Sequence, residues 1–282
     1  MKARRNTPSY RGILAAGVII GMALAAGPAA AGSISYVGSL QMASGSYFFN
    51  QTTRGYYFVN GFSFSEGAFT LTANIPLIYQ STPYVSYSGI GLLPSGGADS
   101  SLVSRRQGKE QVILPEPVAY NKYGVGDPLL SIGFRLWREG EFVPSAQITA
   151  QAKIPLASLE SGFGTGQWDY AAGLSLGKKV GSAFLFADLT YWKLGDLPDL
   201  ILKDAWSYGF SLGRSFSGGA FSVLASYAGY TQIISWVAPP SSLGLGLGFR
   251  VGAKSSLMLN ASFGLSESSP DVALSLGWIM GF

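Results

Sequence analysis

The sequence predicts an all-β chain: a transmembrane, antiparallel, up-and-down β-barrel of about twelve strands. Three observations predict it. First, the chain is apolar and sparsely charged, with 12% Asp, Glu, Lys and Arg against ~25% in soluble domains. Beyond its leader it nonetheless has no apolar run of the ~18 residues that a membrane helix needs. Second, it divides into segments of about ten residues in which bulky apolar positions alternate with small or polar ones, the period-2 pattern of a barrel wall. Third, the links between those segments are short and long by turns. A barrel in an outer membrane segregates its links in this way, and a soluble sandwich has no reason to.

The chain opens with Lys2, Arg4, Arg5 and Arg11, followed by an apolar stretch at 13–26 and then Gly27-Pro28-Ala29-Ala30-Ala31-Gly32. This is the three-part layout of a secretory signal peptide, with cleavage expected after Ala31. Residues 1–31 are therefore read as leader and 32–282 as barrel. The leader holds four basic residues and no acidic one, so the remainder carries 15 of each sign. A neutral exported chain offers nucleic acid no electrostatic footprint. It has no Cys, which excludes disulfides, thiolate metal sites and an acylated N-terminal cysteine.

The alternation places strands at 38–49, 54–65, 68–80, 128–138, 142–155, 168–179, 182–193, 205–215, 219–231, 242–252, 255–265 and 271–282. The clearest is 242–252, where Leu243, Leu245, Leu247, Phe249 and Val251 alternate with Gly244, Gly246, Gly248 and Arg250. The first is the weakest, because Leu40, Met42, Ala43, Tyr47, Phe48 and Phe49 alternate poorly. Even-numbered links are tight, as at Glu66-Gly67 and Val180-Gly181. Odd-numbered links are long, apart from the first, at 50–53. With a periplasmic N-terminus the long links face outside. The longest, 81–127, is read as an extracellular loop carrying Arg105, Arg106 and Lys109 near Glu110 and Glu116. Three readings stay open for it: a segment folded into the lumen or over its mouth as a gate, a solvated surface loop, or a hidden strand pair near 84–93 and 110–119 that would make fourteen strands.

The last strand carries Val272, Leu274, Leu276, Trp278, Met280 and Phe282 on one face. It resembles the C-terminal strand of bacterial outer-membrane barrels, whose terminal aromatic residue is read by the barrel-assembly machinery. Trp278, Met280 and Phe282 are the insertion signal that this resemblance implies. Tyr56, Phe58, Tyr191, Trp206, Tyr208 and Tyr227 fall near strand ends on the same bulky face, where interfacial girdles form.

The chain contains no His, so serine nucleophiles lack their usual base and zinc or copper lacks its usual ligand. Gly162-Phe163-Gly164-Thr165-Gly166 lacks the Lys-Ser/Thr and the helix that a phosphate-binding loop requires. No cofactor, metal or catalytic residue is expected. The chemistry belongs to the inner face, because Arg or Lys facing mid-depth lipid costs ~2–4 kcal/mol. That argument turns Arg135, Lys153, Asp169, Asp188, Arg250 and Asn260 into the lumen. Arg135, Lys153, Asp169 and Asp188 fall on four consecutive strands, as an ion-pair ladder bracing the wall or as a polar track for a solute. Phe184 and Phe186 also point inward, where they narrow the pore or offer apolar contact.

Two segments resemble an outer-membrane family associated with the meta-pathway of phenol degradation. One is Gly124-Val125-Gly126-Asp127-Pro128 leading into 129–136. The other is Lys153-Ile154-Pro155, then Gly162-Phe163-Gly164-Thr165-Gly166-Gln167-Trp168-Asp169 and the strand to Lys178. The Thr-Gly usual after the proline is replaced by Leu156-Ala157. The resemblance covers 124–282 and implies kinship with channels for hydrophobic compounds of the long-chain fatty-acid type. Those carry an N-terminal plug, and the few residues between Gly32 and the first strand leave little chain for one. The expected function is a passive outer-membrane channel for small solutes, aromatic or hydrophobic ones in view of the resemblance. The competing reading is a non-transporting structural or surface-interaction barrel acting through its extracellular loops. Expected partners are outer-membrane lipid, the barrel-assembly machinery and a small-molecule solute, with no enzymatic role. The oligomeric state is left open.

Overall fold

The computed structural model describes residues 32–106, 111–114 and 120–282. The predicted leader and Lys109, Glu110 and Glu116 lie outside the described residues. The strands are β1 (Ser33–Gly45), β2 (Thr53–Glu66), β3 (Phe69–Gln80), β4 (Ser86–Ser88), β5 (Gly91–Leu93), β6 (Lys122–Val125), β7 (Leu129–Trp137), β8 (Ser145–Lys153), β9 (Asp169–Val180), β10 (Ala183–Lys193), β11 (Ala205–Phe216), β12 (Phe221–Tyr230), β13 (Ser241–Arg250), β14 (Ser255–Gly264) and β15 (Val272–Gly281).

β1, β2 and β3 pair in sequence, β3 pairs with β7, and β7 through β15 pair in sequence. β15 then returns to β1, from Ser35 opposite Gly281 to Ser44 opposite Val272. β6 and β7 share one wall position: both pair with β3, β6 beside Leu77 to Gln80 and β7 beside Phe69 to Asn74. The break between them falls at Gly126-Asp127-Pro128, where proline has no N–H for the ladder. The wall therefore closes with twelve strands, an even number that brings the start of β1 and the end of β15 to one rim. There the Phe282 N–H donates to the Ile34 carbonyl at 2.9 Å. β4 and β5 form a separate small hairpin, so among the described residues the long link adds β6 to the position of β7 and no further position to the wall.

The first strand is corrected from 38–49 to Ser33–Gly45. Its poor alternation has a local cause. Ile34, Tyr36, Leu40 and Met42 face outward beside Phe64, Phe62, Phe58 and Tyr56 of β2, and Gly38 interrupts the row opposite Trp278. A Cβ at Gly38 would lie 2.8 Å from the Trp278 ring, so the indole occupies the place of the missing side chain. Phe48 and Phe49 leave the wall and are 2% and 1% exposed. The first link consequently runs over 46–52 and joins the other long links at one end of the barrel.

Aromatic pairs ring the outer face, with centroids 5.9 Å apart for Tyr56–Tyr79, 5.2 Å for Tyr191–Trp206 and 6.2 Å for Tyr208–Tyr227. The buried core lies inside the barrel at the long-link end, where Phe48, Phe49, Val85, Leu93, Val103, Trp192, Ile233 and Ile234 pack together. A protein with its greasy face outward still builds a core here, from its links rather than from its wall.

Candidate functional site: the lumen and its plug

Alternation along β10 and β11 turns Phe184, Phe186, Asp188, Ser211 and Gly213 inward, and the same parity carries around the wall. The lumen divides into two halves.

The long-link half is filled by the segment that follows β3. Its β4–β5 hairpin enters the barrel, where Tyr87 stacks on Tyr57 of β2 with centroids 5.7 Å apart. The Tyr230 hydroxyl donates to the Ile90 carbonyl at 3.0 Å, and the Gly89 N–H donates to Asp169 Oδ2 at 2.9 Å. Val85, Leu93 and Val103 of the segment are at most 2% exposed. Of the readings open for 81–127, this is the segment folded into the lumen.

At the rim the segment is clipped down. Arg106 donates from both terminal nitrogens to Glu267, at 2.8 and 2.6 Å, and its guanidinium carbon lies 4.7 Å from the Phe48 ring centroid. Glu267 also accepts the Ala238 N–H at 3.3 Å. The hydrogen bond from Arg106 holds the Glu267 carboxyl below its ordinary range, against the opposing effect of burial. One carboxylate thereby joins three links, and paired, charge-assisted bonds of this kind fix geometry as well as adding energy.

Beneath the hairpin lies a buried ion-pair knot. Lys153, at the end of β8, donates to Asp127 Oδ2, Thr165 Oγ1 and the Gln167 carbonyl, each at 2.7 Å. Asp169 Oδ2 lies 3.4 Å from the same ammonium. Asp127 Oδ1 accepts the N–H groups of Leu156 and Ala157, both at 2.8 Å. Asp169 Oδ1 accepts the Gly195 N–H at 3.1 Å. Lys153 and Asp169 are 1% exposed and Asp127 is 0% exposed. The two segments that carry the family resemblance are thus halves of one structure. Gly162 and Gly166 take positive φ, Gly164 has no room for a Cβ beside the Asp127 carboxylate, and Gly124 clears space for the Phe163 ring.

This corrects part of the sequence-derived lining. Lys153 and Asp169 point inward but are enclosed by the plug and the 154–168 link. Arg135 and Asp188 stand apart from them, so no continuous track runs over the four strands. Arg135 donates to the Gly67 carbonyl at 2.6 Å near the tight-turn rim. Arg250 lies exposed near Gly219 at the same end. Asn260 donates to Ser275 Oγ at 3.4 Å on the inner wall. Trp278 and Met280 lie on the outer face, and Phe282 is 71% exposed at the rim. Asp127, Thr165 and Glu267 were not singled out by the sequence as lumen or gate residues. Asp127 had a signal in its Gly-Asp-Pro context, whereas Glu267 had none.

The tight-turn half is open. Phe186 is 47% exposed, Met258 47% and Ile279 48%, although all three face inward. The two phenyl rings, 5.7 Å apart at their centroids, do not cross the lumen. A Cβ at Gly213 would collide with the Phe184 ring, and one at Gly177 would lie 3.1 Å from the Phe186 ring. Each ring reaches over the glycine opposite it on the neighbouring strand. The glycines of β13 are used in the same way, for Ser222, Ser226 and Asn260 lean over Gly248, Gly244 and Gly246.

Comparisons with known proteins agree with this architecture. A family described as "Putative MetA-pathway of phenol degradation" matches residues 51–280. Among solved structures, the COG4313 outer membrane channel from Pseudomonas putida F1 superposes with a TM-score of 0.60 at 13% identity. The match covers 89% of this chain and 96% of that one. The CymD monoaromatic hydrocarbon channel aligns at 10% identity and a TM-score of 0.47, over 90% of this chain and 89% of that one. The first of these shows a shared fold. A comparison with curated proteins gives no match.

Proposed function

The chain belongs to the family of the MetA-pathway of phenol degradation, and from that premise we propose that it is a passive, plugged channel of the outer membrane for small aromatic or hydrophobic solutes. The tight-turn end faces the periplasm in this reading and the long links face outside. The observation that carries it is the division of the lumen. One half is an open vestibule with apolar and polar walls, and the other is closed by the segment after β3, packed against the links at 46–52, 194–204 and 231–240. A barrel that served only as a scaffold needs no space inside it, and side chains fill the interior of smaller barrels. The wall has no feature that couples passage to an energy source, so movement is downhill. Trp278, Met280 and Phe282 present the last strand to the assembly machinery, and the outer girdles meet lipid. The same reading makes the protein a channel and not an enzyme.

Liposome swelling and planar-bilayer conductance test this, with the intact chain and with a variant whose 84–119 segment is replaced by a short glycine–serine linker. Phenol and other small neutral aromatics should enter, faster through the shortened variant. A folded barrel that passes no solute in either form would sink the channel reading and favour the surface-interaction barrel.

A further inference from the structure

The open half of the lumen carries an unbalanced charge. Arg135 on β7, Lys179 on β9 and Arg250 on β13 face inward near the tight-turn rim. β13 lies six places round the twelve-strand wall from β7 and four from β9, so Arg250 faces Arg135 across the lumen with Lys179 to one side. Among the described residues none of the three is within 4.0 Å of a carboxylate. Arg135 is held by a neutral carbonyl, which leaves its charge uncompensated. Glu139 accepts the Lys179 backbone N–H, but its carboxylate lies 3.5 Å from the neighbouring outward-facing Lys178. On the wall strands no acidic side chain faces this half below Asp188. A ring of Arg and Lys in a narrow, low-dielectric tube attracts anions and repels cations. Phe184 stands directly beside Lys179 in the strand register, and Phe186 follows it on the same inward face.

We propose that this half is a selectivity site for small organic anions with an aromatic body, such as a carboxylate or phenolate on a ring. The basic ring takes the charge and the phenyl pair takes the apolar part. The assignment rests on the channel reading and adds to it a sign of charge.

The test is the zero-current potential of the full chain in a planar bilayer under a potassium chloride gradient, repeated with potassium benzoate. The intact protein should favour chloride over potassium. Benzoate should reduce chloride current in a concentration-dependent way. The triple variant Arg135→Gln, Lys179→Gln, Arg250→Gln should lose the anion preference. Phe184→Ala with Phe186→Ala should keep it and weaken the benzoate effect. Heat-modifiable migration in gels verifies that each barrel is folded. If the triple variant fails that check, Asp188→Asn serves instead and should raise the anion preference, since it removes the one acidic side chain that the wall strands turn into this half. A cation-selective current, or a preference unmoved by whichever of these two substitution sets folds, overturns this proposal and leaves the channel standing. Absence of current in both the intact chain and the 84–119 replacement overturns the channel reading and this proposal with it.

Discussion

Lys153 Nζ lies 2.7 Å from Asp127 Oδ2, with both side chains sealed from solvent where the fourth wall position breaks. The ammonium faces two carboxylates, Asp127 and Asp169, and each carboxylate also accepts backbone N–H groups from links that have no strand partner of their own. The knot therefore does for the 154–168 link what a ladder does for a strand.

Removing one member leaves the others buried and uncompensated, which typically costs ~3–5 kcal/mol. Lys153→Met should lower the urea midpoint of barrel unfolding accordingly. Adding Asp127→Asn to it should cost less than the sum of the two single changes, because the double variant removes a charge that the first one stranded. Additive losses in the double-mutant cycle would show that the pair acts independently.

The Arg106–Glu267 clip predicts a pH dependence. Glu267 is held below its ordinary carboxyl range by Arg106. Its contribution to closure is therefore complete above the unfolded value, about 4.3, and is lost as pH falls through the lowered value of the folded state. Conductance should rise as the medium is taken from neutral to below about pH 4. Glu267→Gln should raise conductance at neutral pH and flatten that response. An unchanged acid response in this variant would assign the effect to other carboxylates.

Gly213 gives the Phe184 ring its seat on the wall. Gly213→Val should push the ring into the lumen and lower single-channel conductance while the barrel stays folded, and adding Phe184→Ala should restore it. Interiors packed to native density transmit such a displacement rather than absorb it. A conductance that falls in Gly213→Val but does not recover in the double variant would point to wall distortion instead.

At the closing seam, Gly38→Leu should displace Trp278 and weaken the pairing of β1 with β15. The expected readout is a lower temperature for the heat-modifiable gel shift and slower assembly into lipid. Ala at the same position should fall between Gly and Leu, because its single methyl already meets the indole.

Much of this was legible along the chain. Alternation assigns a face along each strand, and the outward aromatic pairs follow the bulky positions of that pattern. The 14-strand alternative fails because the 84–93 stretch pairs with itself within the lumen, and pairing partners are not written in a period. β1 was misplaced by the same limit. Gly38 reads as a break in the pattern until Trp278, at the far end of the chain, is set beside it. Lys179 could have been found, since it keeps the parity of Asp169 along β9.

By itself the sequence determined that the chain is an antiparallel wall of alternating strands and the end at which the long links gather, and it left twelve or fourteen strands open. Those follow from local periodicity and link length, which neighbouring residues settle among themselves. Only the tertiary structure decided that the link after β3 turns inward, that Asp127, Lys153 and Asp169 meet in one buried knot, and that three cations are left to line the open half. These depend on which surfaces meet across the barrel. Two inward-facing charges become an ion pair or a pore lining according to what the intervening chain covers, and no repeat in the sequence encodes that.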